Sequence, residues 1–176
     1  EAMLHQWGKR IESIGLRKNF TQARIRAQRM ADNLYAFSEG RVLLSAPEST
    51  LATRFRNNRH GLVSWLIGRD CWYRKDPGFA MEPWKTVNST IEGKPIITGD
   101  RAQVMGKHIF CCRDRKTFEL DFAIGCLRDV DGKLRIFLHG LTLPYHESST
   151  WDKTLSMARG VARSMSVSLG GTFEGG

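Results

Sequence analysis

The sequence predicts an α+β fold, with helices leading and a curved antiparallel sheet following. Apolar residues recur at three- and four-residue steps between Phe20 and Phe37, and from Trp84 onward the period drops to two. The period-two segments are joined by short Gly- and Asp-containing connections. Such connections demand antiparallel neighbours, because a parallel return needs a crossover of about a dozen residues or more. The chain has 176 residues, enough for one well-buried core, and a single domain is expected over residues 1–168 with a flexible Gly-rich tail at 169–176.

Leu4, Trp7, Ile11 and Ile14 outline a first helix that Gly8 should interrupt and Gly15 should end. The second, longer helix carries Phe20, Ala23, Ala27, Met30, Leu34 and Phe37 as one apolar stripe, with Arg24, Arg26 and Arg29 largely off it, and Glu39-Gly40 closes it. Arg41 to Ser45 reads as a short strand, and Pro47 to Phe55 as a loop or helical turn. Asn57 or Asn58 can cap a helix bearing Leu62, Val63, Trp65, Leu66 and Ile67, which Gly68 stops. Asp76-Pro77-Gly78 is a turn. Strands are expected at about 84–92, 101–112, 116–127 and 133–144, joined around Glu92-Gly93 and Gly99-Asp100, at Arg113-Asp114-Arg115, and at Asp129-Val130-Asp131-Gly132. A last helix at about 150–167 carries Trp151, Leu155 and Ala158.

Alternation assigns the faces of these strands. Phe118, Leu120, Phe122 and Ile124 share a covered face, leaving Glu119 and Asp121 on the other. Leu134, Ile136 and Leu138 oppose Arg135, Phe137 and His139, so His139 should point away from the apolar side. The N-terminal helices are the available cover for the apolar face.

Composition excludes several classes. No stretch reaches the roughly 20 apolar residues of a membrane-spanning helix. The sequence starts without a signal-peptide pattern, and Cys71, Cys111, Cys112 and Cys126 show no metal-ligand spacing, so a cytoplasmic protein with reduced thiols and no bound metal is expected. The net charge of +9 sits mostly in residues 1–75, with 14 Lys and Arg against 6 Asp and Glu. That surplus could attract nucleic acid, but no nucleic-acid-binding motif accompanies it, and a solvated basic surface is the simpler account.

The runs Thr86-Val87-Asn88-Ser89-Thr90-Ile91, Gly99-Asp100-Arg101-Ala102-Gln103-Val104 and Asp131-Gly132-Lys133-Leu134-Arg135-Ile136 resemble the strand pattern of SnoaL-like and nuclear-transport-factor-two-like domains. The resemblance covers about residues 20–145. Leu134 stands where that pattern usually has Trp, and the segment from Pro47 to Pro83 is longer than in a minimal member. The resemblance implies a cone-shaped domain whose sheet wraps around helices and leaves a pocket for a hydrophobic small molecule. It further implies isomerase, cyclase or dehydratase chemistry without a cofactor, or else ligand binding or protein assembly without catalysis. A homodimer through the outer sheet face is also implied.

Proton transfer in such a cone needs a titratable group shifted by burial and a donor for the developing oxyanion. If Ala102 and Val104 face inward, as the resemblance implies, His108 and Phe110 do so too, and His108 is the first candidate base. A structural histidine, or one turned outward by a bulge at Gly106, is the alternative. Asp121 is the candidate acid if it faces the pocket, although alternation favours the outer face. Tyr35 sits beside the apolar helix stripe, where its phenol could donate into the cone. Trp65, Trp72, Phe110, His139 and Tyr145 complete the candidate substrate-binding set, with core packing the alternative for the tryptophans.

Overall fold

The computed structural model describes residues 1–17, 19–47, 54–114 and 116–144. The expected helix at 150–167, the tail and Tyr145 lie outside the described residues. Within them the α+β expectation holds. Three helices, α1 (Ala2–Gly15), α2 (Phe20–Leu34) and α3 (Arg59–Ile67), pack with a six-stranded sheet. Its strands are β1 (Leu43–Ser45), β2 (Phe55–Arg56), β3 (Trp84–Thr98), β4 (Arg101–Cys112), β5 (Thr117–Arg128) and β6 (Leu134–Thr142), in the spatial order β2-β1-β6-β5-β4-β3.

The helix boundaries follow local chemistry. Asn19 accepts hydrogen bonds from the backbone N–H groups of Thr21 and Gln22 at the start of α2, and Asn58 accepts one from Gly61 at the start of α3. Gly68 ends α3 with φ at 66°. Gly8 does not interrupt α1; it lies in an unbroken helix because β3 passes so close that a Cβ there would stand 2.6 Å from the Val87 carbonyl oxygen. Glu12, one turn further along α1, accepts the Val87 N–H at 2.9 Å and is itself held by Lys9 at 2.8 Å. These contacts clamp α1 onto the inner face of β3.

The sheet departs from expectation in three places. First, β3 continues to Thr98 instead of stopping at Glu92-Gly93, because a bulge between Glu92 and Ile96 absorbs Gly93, Lys94 and Pro95, with Gly93 at φ 74°. Second, Phe55 and Arg56 form a short strand that pairs with β1, which in turn runs parallel to β6. Third, Cys126 pairs with Ile136 while Gly125 pairs with Leu138, so Phe137 is an extra residue bulged out of β6. The bulge reverses the alternation beyond it: Ile136 is buried, Leu138 is exposed, and His139 and Leu141 are buried again.

The covered face of the sheet carries Val87, Phe110, Leu120, Phe122, Ile124, Ile136 and Leu141, and it closes on Trp7, Ile11 and Ile14 of α1 and Met30 and Leu34 of α2. A second aromatic group, Trp65, Phe79 and Trp84, adjoins it through Phe110. The opposite face is unusually apolar for a solvent-facing surface, with Leu43, Phe55, Ile96, Met105 and Leu138 exposed.

Candidate active site

Five elements bring polar side chains to one point of the inner face. β4 pairs with β5 without a register break, so the face set by Gly106 carries through His108 to Phe110. Gly106 is tightly crossed, with a hypothetical Cβ 2.0 Å from the Thr90 carbonyl oxygen, but no bulge turns His108 outward. His108 is fully buried. Its ring lies between Phe122, stacked at 4.4 Å, and Trp7, stacked at 4.5 Å with the planes 15° apart. His108 Nδ1 is 2.8 Å from Ser89 Oγ on the neighbouring strand β3.

His139 is the second buried imidazole, 5.9 Å from His108 between ring centroids and edge-on to it. Strand alternation read from the hairpin places it outside; the bulge at Phe137 places it inside. Tyr35, at the C-terminal end of α2, sets its hydroxyl 2.9 Å from His139 Nδ1 and accepts the indole N–H of Trp7 at 3.0 Å. Among the described residues, the Nε2 atoms of both histidines are buried without a hydrogen-bond partner. Buried polar atoms are seldom left unpaired, and such a pair calls for a partner such as an ordered water or a bound ligand.

Burial dominates the titration of this group. It lowers the pKa of His108 to about 3. His139 falls well below its ordinary value, first through burial and then through the proximity of His108. The Tyr35 phenol is pushed upward by burial, partly opposed by the Trp7 hydrogen bond. At neutral pH the site therefore holds two neutral imidazoles and a protonated phenol.

The other candidate residues fall elsewhere. Asp121 lies on the opposite face from Leu120 and Phe122, half-buried, because β5 alternates regularly there; this removes it from the group. Trp72 is 81% exposed in a turn and lines no interior, since the Asp70 carboxylate ties the backbone of Trp72 and Tyr73 into a surface loop. Trp65 is fully buried but stacks on Phe79 at 4.8 Å, and Phe79 in turn meets Phe110 edge-on at 5.1 Å. Phe110 touches the site directly, edge-on to His108 at 6.1 Å. Sequence reasoning missed Trp7 and Ser89 as site residues. Trp7 is inseparable from a core aromatic by periodicity alone, and Ser89 is marked only by its place opposite His108 in the ladder.

Among the described residues no group of three or more His, Cys, Asp or Glu could hold a metal ion. A protein-family model described as metal-independent carbonic anhydrase matches residues 1–143. The chain belongs to the metal-independent carbonic anhydrase family. One relative, the metal-independent carbonic anhydrase of Nostoc sp. (strain PCC 7120), is 31% identical over 145 residues, covering 80% of this chain and 70% of the relative. The crystal structure of a cyanobacterial iota-carbonic anhydrase, solved in complex with bicarbonate, is 30% identical and superposes with a TM-score of 0.79 over 83% of this chain and 90% of that one. A calcium/calmodulin-dependent protein kinase II association domain from Xanthomonas campestris is 15% identical, with a TM-score of 0.51 over 83% of this chain and 86% of that one, and shares the fold alone. The architecture is the expected α+β one of helices packed on a mainly antiparallel sheet, and the family is that of a metal-independent enzyme. The family description names no isomerase, cyclase or dehydratase. Among the described residues no helix is long and apolar enough to cross a membrane.

Proposed function

We propose that this chain interconverts CO2 and bicarbonate without a metal, at the buried group formed by His108, His139, Tyr35, Trp7 and Ser89. The observation that carries the reading is the pair of buried, unpartnered imidazole nitrogens, found in a chain of this family. A three-atom neutral substrate suits the place. The rings of Phe122, Trp7, His139 and Phe110 surround His108 at centroid distances of 4.4 to 6.1 Å, filling the space that a larger hydrophobic substrate would need.

Hydration joins a water oxygen to the carbon of CO2, moves one C=O electron pair onto oxygen, and releases one proton. The site offers an acceptor for the proton and a donor for the oxyanion. His108 Nε2 is the acceptor: its low pKa keeps the lone pair free, and the new bicarbonate charge beside it raises its proton affinity when the proton moves. The half-buried Ser89 hydroxyl on Nδ1 gives that ring an outlet toward solvent.

The test is oxygen-18 exchange between CO2 and water, followed by mass spectrometry on protein dialysed against a strong chelator. Exchange above the uncatalysed rate that survives chelation is expected, and its absence overturns the reading. The expected homodimer through the outer sheet face remains part of the proposal, supported by the exposed Leu43, Phe55, Met105 and Leu138. Sedimentation velocity should show a dimer, and a Met105→Glu, Leu138→Glu double variant should sediment as a monomer.

A further inference from the structure

The hydrogen bonds around Tyr35 determine which nitrogen of His139 carries the proton. An indole N–H can only donate, so Tyr35 Oη accepts from Trp7 Nε1 at 3.0 Å. The phenol still has its own proton to place. Tyr35 is buried, and among the described residues the other polar atom at hydrogen-bond distance from its hydroxyl is His139 Nδ1, at 2.9 Å. If Nδ1 carried a proton, Tyr35 Oη would accept two hydrogen bonds and its own O–H would be stranded in the core. If Nδ1 is the acceptor, all three groups are satisfied.

We infer that Trp7 is a positioning residue: through Tyr35 it fixes His139 in the tautomer protonated at Nε2, making His139 a neutral hydrogen-bond donor in the site and not a base. The inference rests on the reading of this group as the carbonic anhydrase site, and it assigns the roles of the two imidazoles. His139 is fully buried and carries its proton on the otherwise unpartnered Nε2, where it can donate to an oxygen of CO2 or bicarbonate. His108 is under no such constraint, because the hydroxyl of Ser89 can either accept from Nδ1 or donate to it. The ring free to exchange tautomers acts as the base, and the locked ring acts as the donor. Trp7 touches both: its indole N–H sets His139 through Tyr35, while its ring face stacks on His108.

The experiment is long-range proton–nitrogen correlation NMR on protein labelled with nitrogen-15 in histidine, with the His139 signals assigned from their loss in His139→Gln. The wild type should show His139 Nδ1 unprotonated and Nε2 protonated at pH 7. Trp7→Phe keeps an aromatic ring beside His108 and removes the N–H together with part of the ring bulk, so His139 should become a mixture of tautomers in a somewhat less stable protein. Catalysis in that variant should fall about threefold to tenfold in kcat with KM nearly unchanged, since only part of the population then presents the donor. A proton on His139 Nδ1 in the wild type overturns the inference, and so does an unchanged tautomer in Trp7→Phe. Should that variant fail to fold, the wild-type tautomer decides by itself. The NMR readout does not depend on turnover, so a correct tautomer in a protein without carbonic anhydrase activity would refute the proposed function and leave the tautomer assignment standing.

Discussion

Lowering the pH from 7 to 5 is expected to cost about 2 kcal/mol of folding stability through His108 alone, with a further loss through His139, against the 5–15 kcal/mol typical of a domain. Both buried imidazoles have depressed pKa values in the folded protein, His108 to about 3 and His139 well below its ordinary 6.5. In the unfolded chain each titrates near 6.5, so between that value and the folded value the unfolded state binds more protons and acid favours unfolding. The stability is fully present above pH 6.5 and is lost as pH falls toward the folded pKa. At pH 5 His108 has given up about 2 kcal/mol, because its folded-state ring stays neutral there, and His139 adds a loss of the same sign. Asp129 and Asp32, held below the usual carboxylate range by Arg135 and Arg59, add their losses only at lower pH. Urea unfolding followed by tryptophan fluorescence at pH 7, 6 and 5 measures the slope directly. His139→Gln should make it shallower. A flat profile over this range would mean that the two rings are not buried and neutral as described.

Replacing His108 with Ala is expected to reduce kcat/KM for CO2 hydration by about 10²- to 10³-fold, the usual scale for removing a positioned general base. The loss should appear mainly in kcat, since an imidazole that accepts its proton in the transition state contributes little to ground-state binding. Two features separate this from simple unfolding. The substitution opens a gap between Trp7 and Phe122, which lowers stability, but it also removes one of the two acid-sensitive groups. The variant should therefore be less stable than wild type at pH 7 and should lose less on acidification. Oxygen-18 exchange and the urea series on the same preparation check both. Exchange within a few-fold of wild type would remove His108 from the chemistry.

Much of the architecture was legible because it rests on short-range chemistry. Asn58 and Gly68 bound α3, Gly99-Asp100 turns β3 into β4, and the alternation from Phe118 to Ile124 sets the face of β5. His108 could be reached by counting in twos along β4, since nothing interrupts the count. His139 could not. Reading outward from Asp131-Gly132 gives the wrong face, and the signs of a bulge are faint: three apolar residues in a row, Ile136, Phe137 and Leu138, opposite a strand containing Gly125. Trp7 and Ser89 belong to the site through contacts that cross from α1 to β4 and from β3 to β4, far apart in the chain, and single-residue patterns carry no record of those. Gly8 misled for a related reason: its local meaning is a helix breaker, and its actual role is to admit β3.

The bulge at Phe137 also governs how β6 tolerates changes in length. Ile136 and His139 are three positions apart, so a regular strand could not turn both inward; one surplus residue between them makes it possible. Losing Phe137 altogether would leave a two-residue spacing, with Ile136 and His139 on the same face and the site intact. Enlarging Gly125 presses on the same place, because its missing side chain is the space taken by the Phe137 ring, whose edge would come within 2.7 Å of a Cβ there and would have to swing aside.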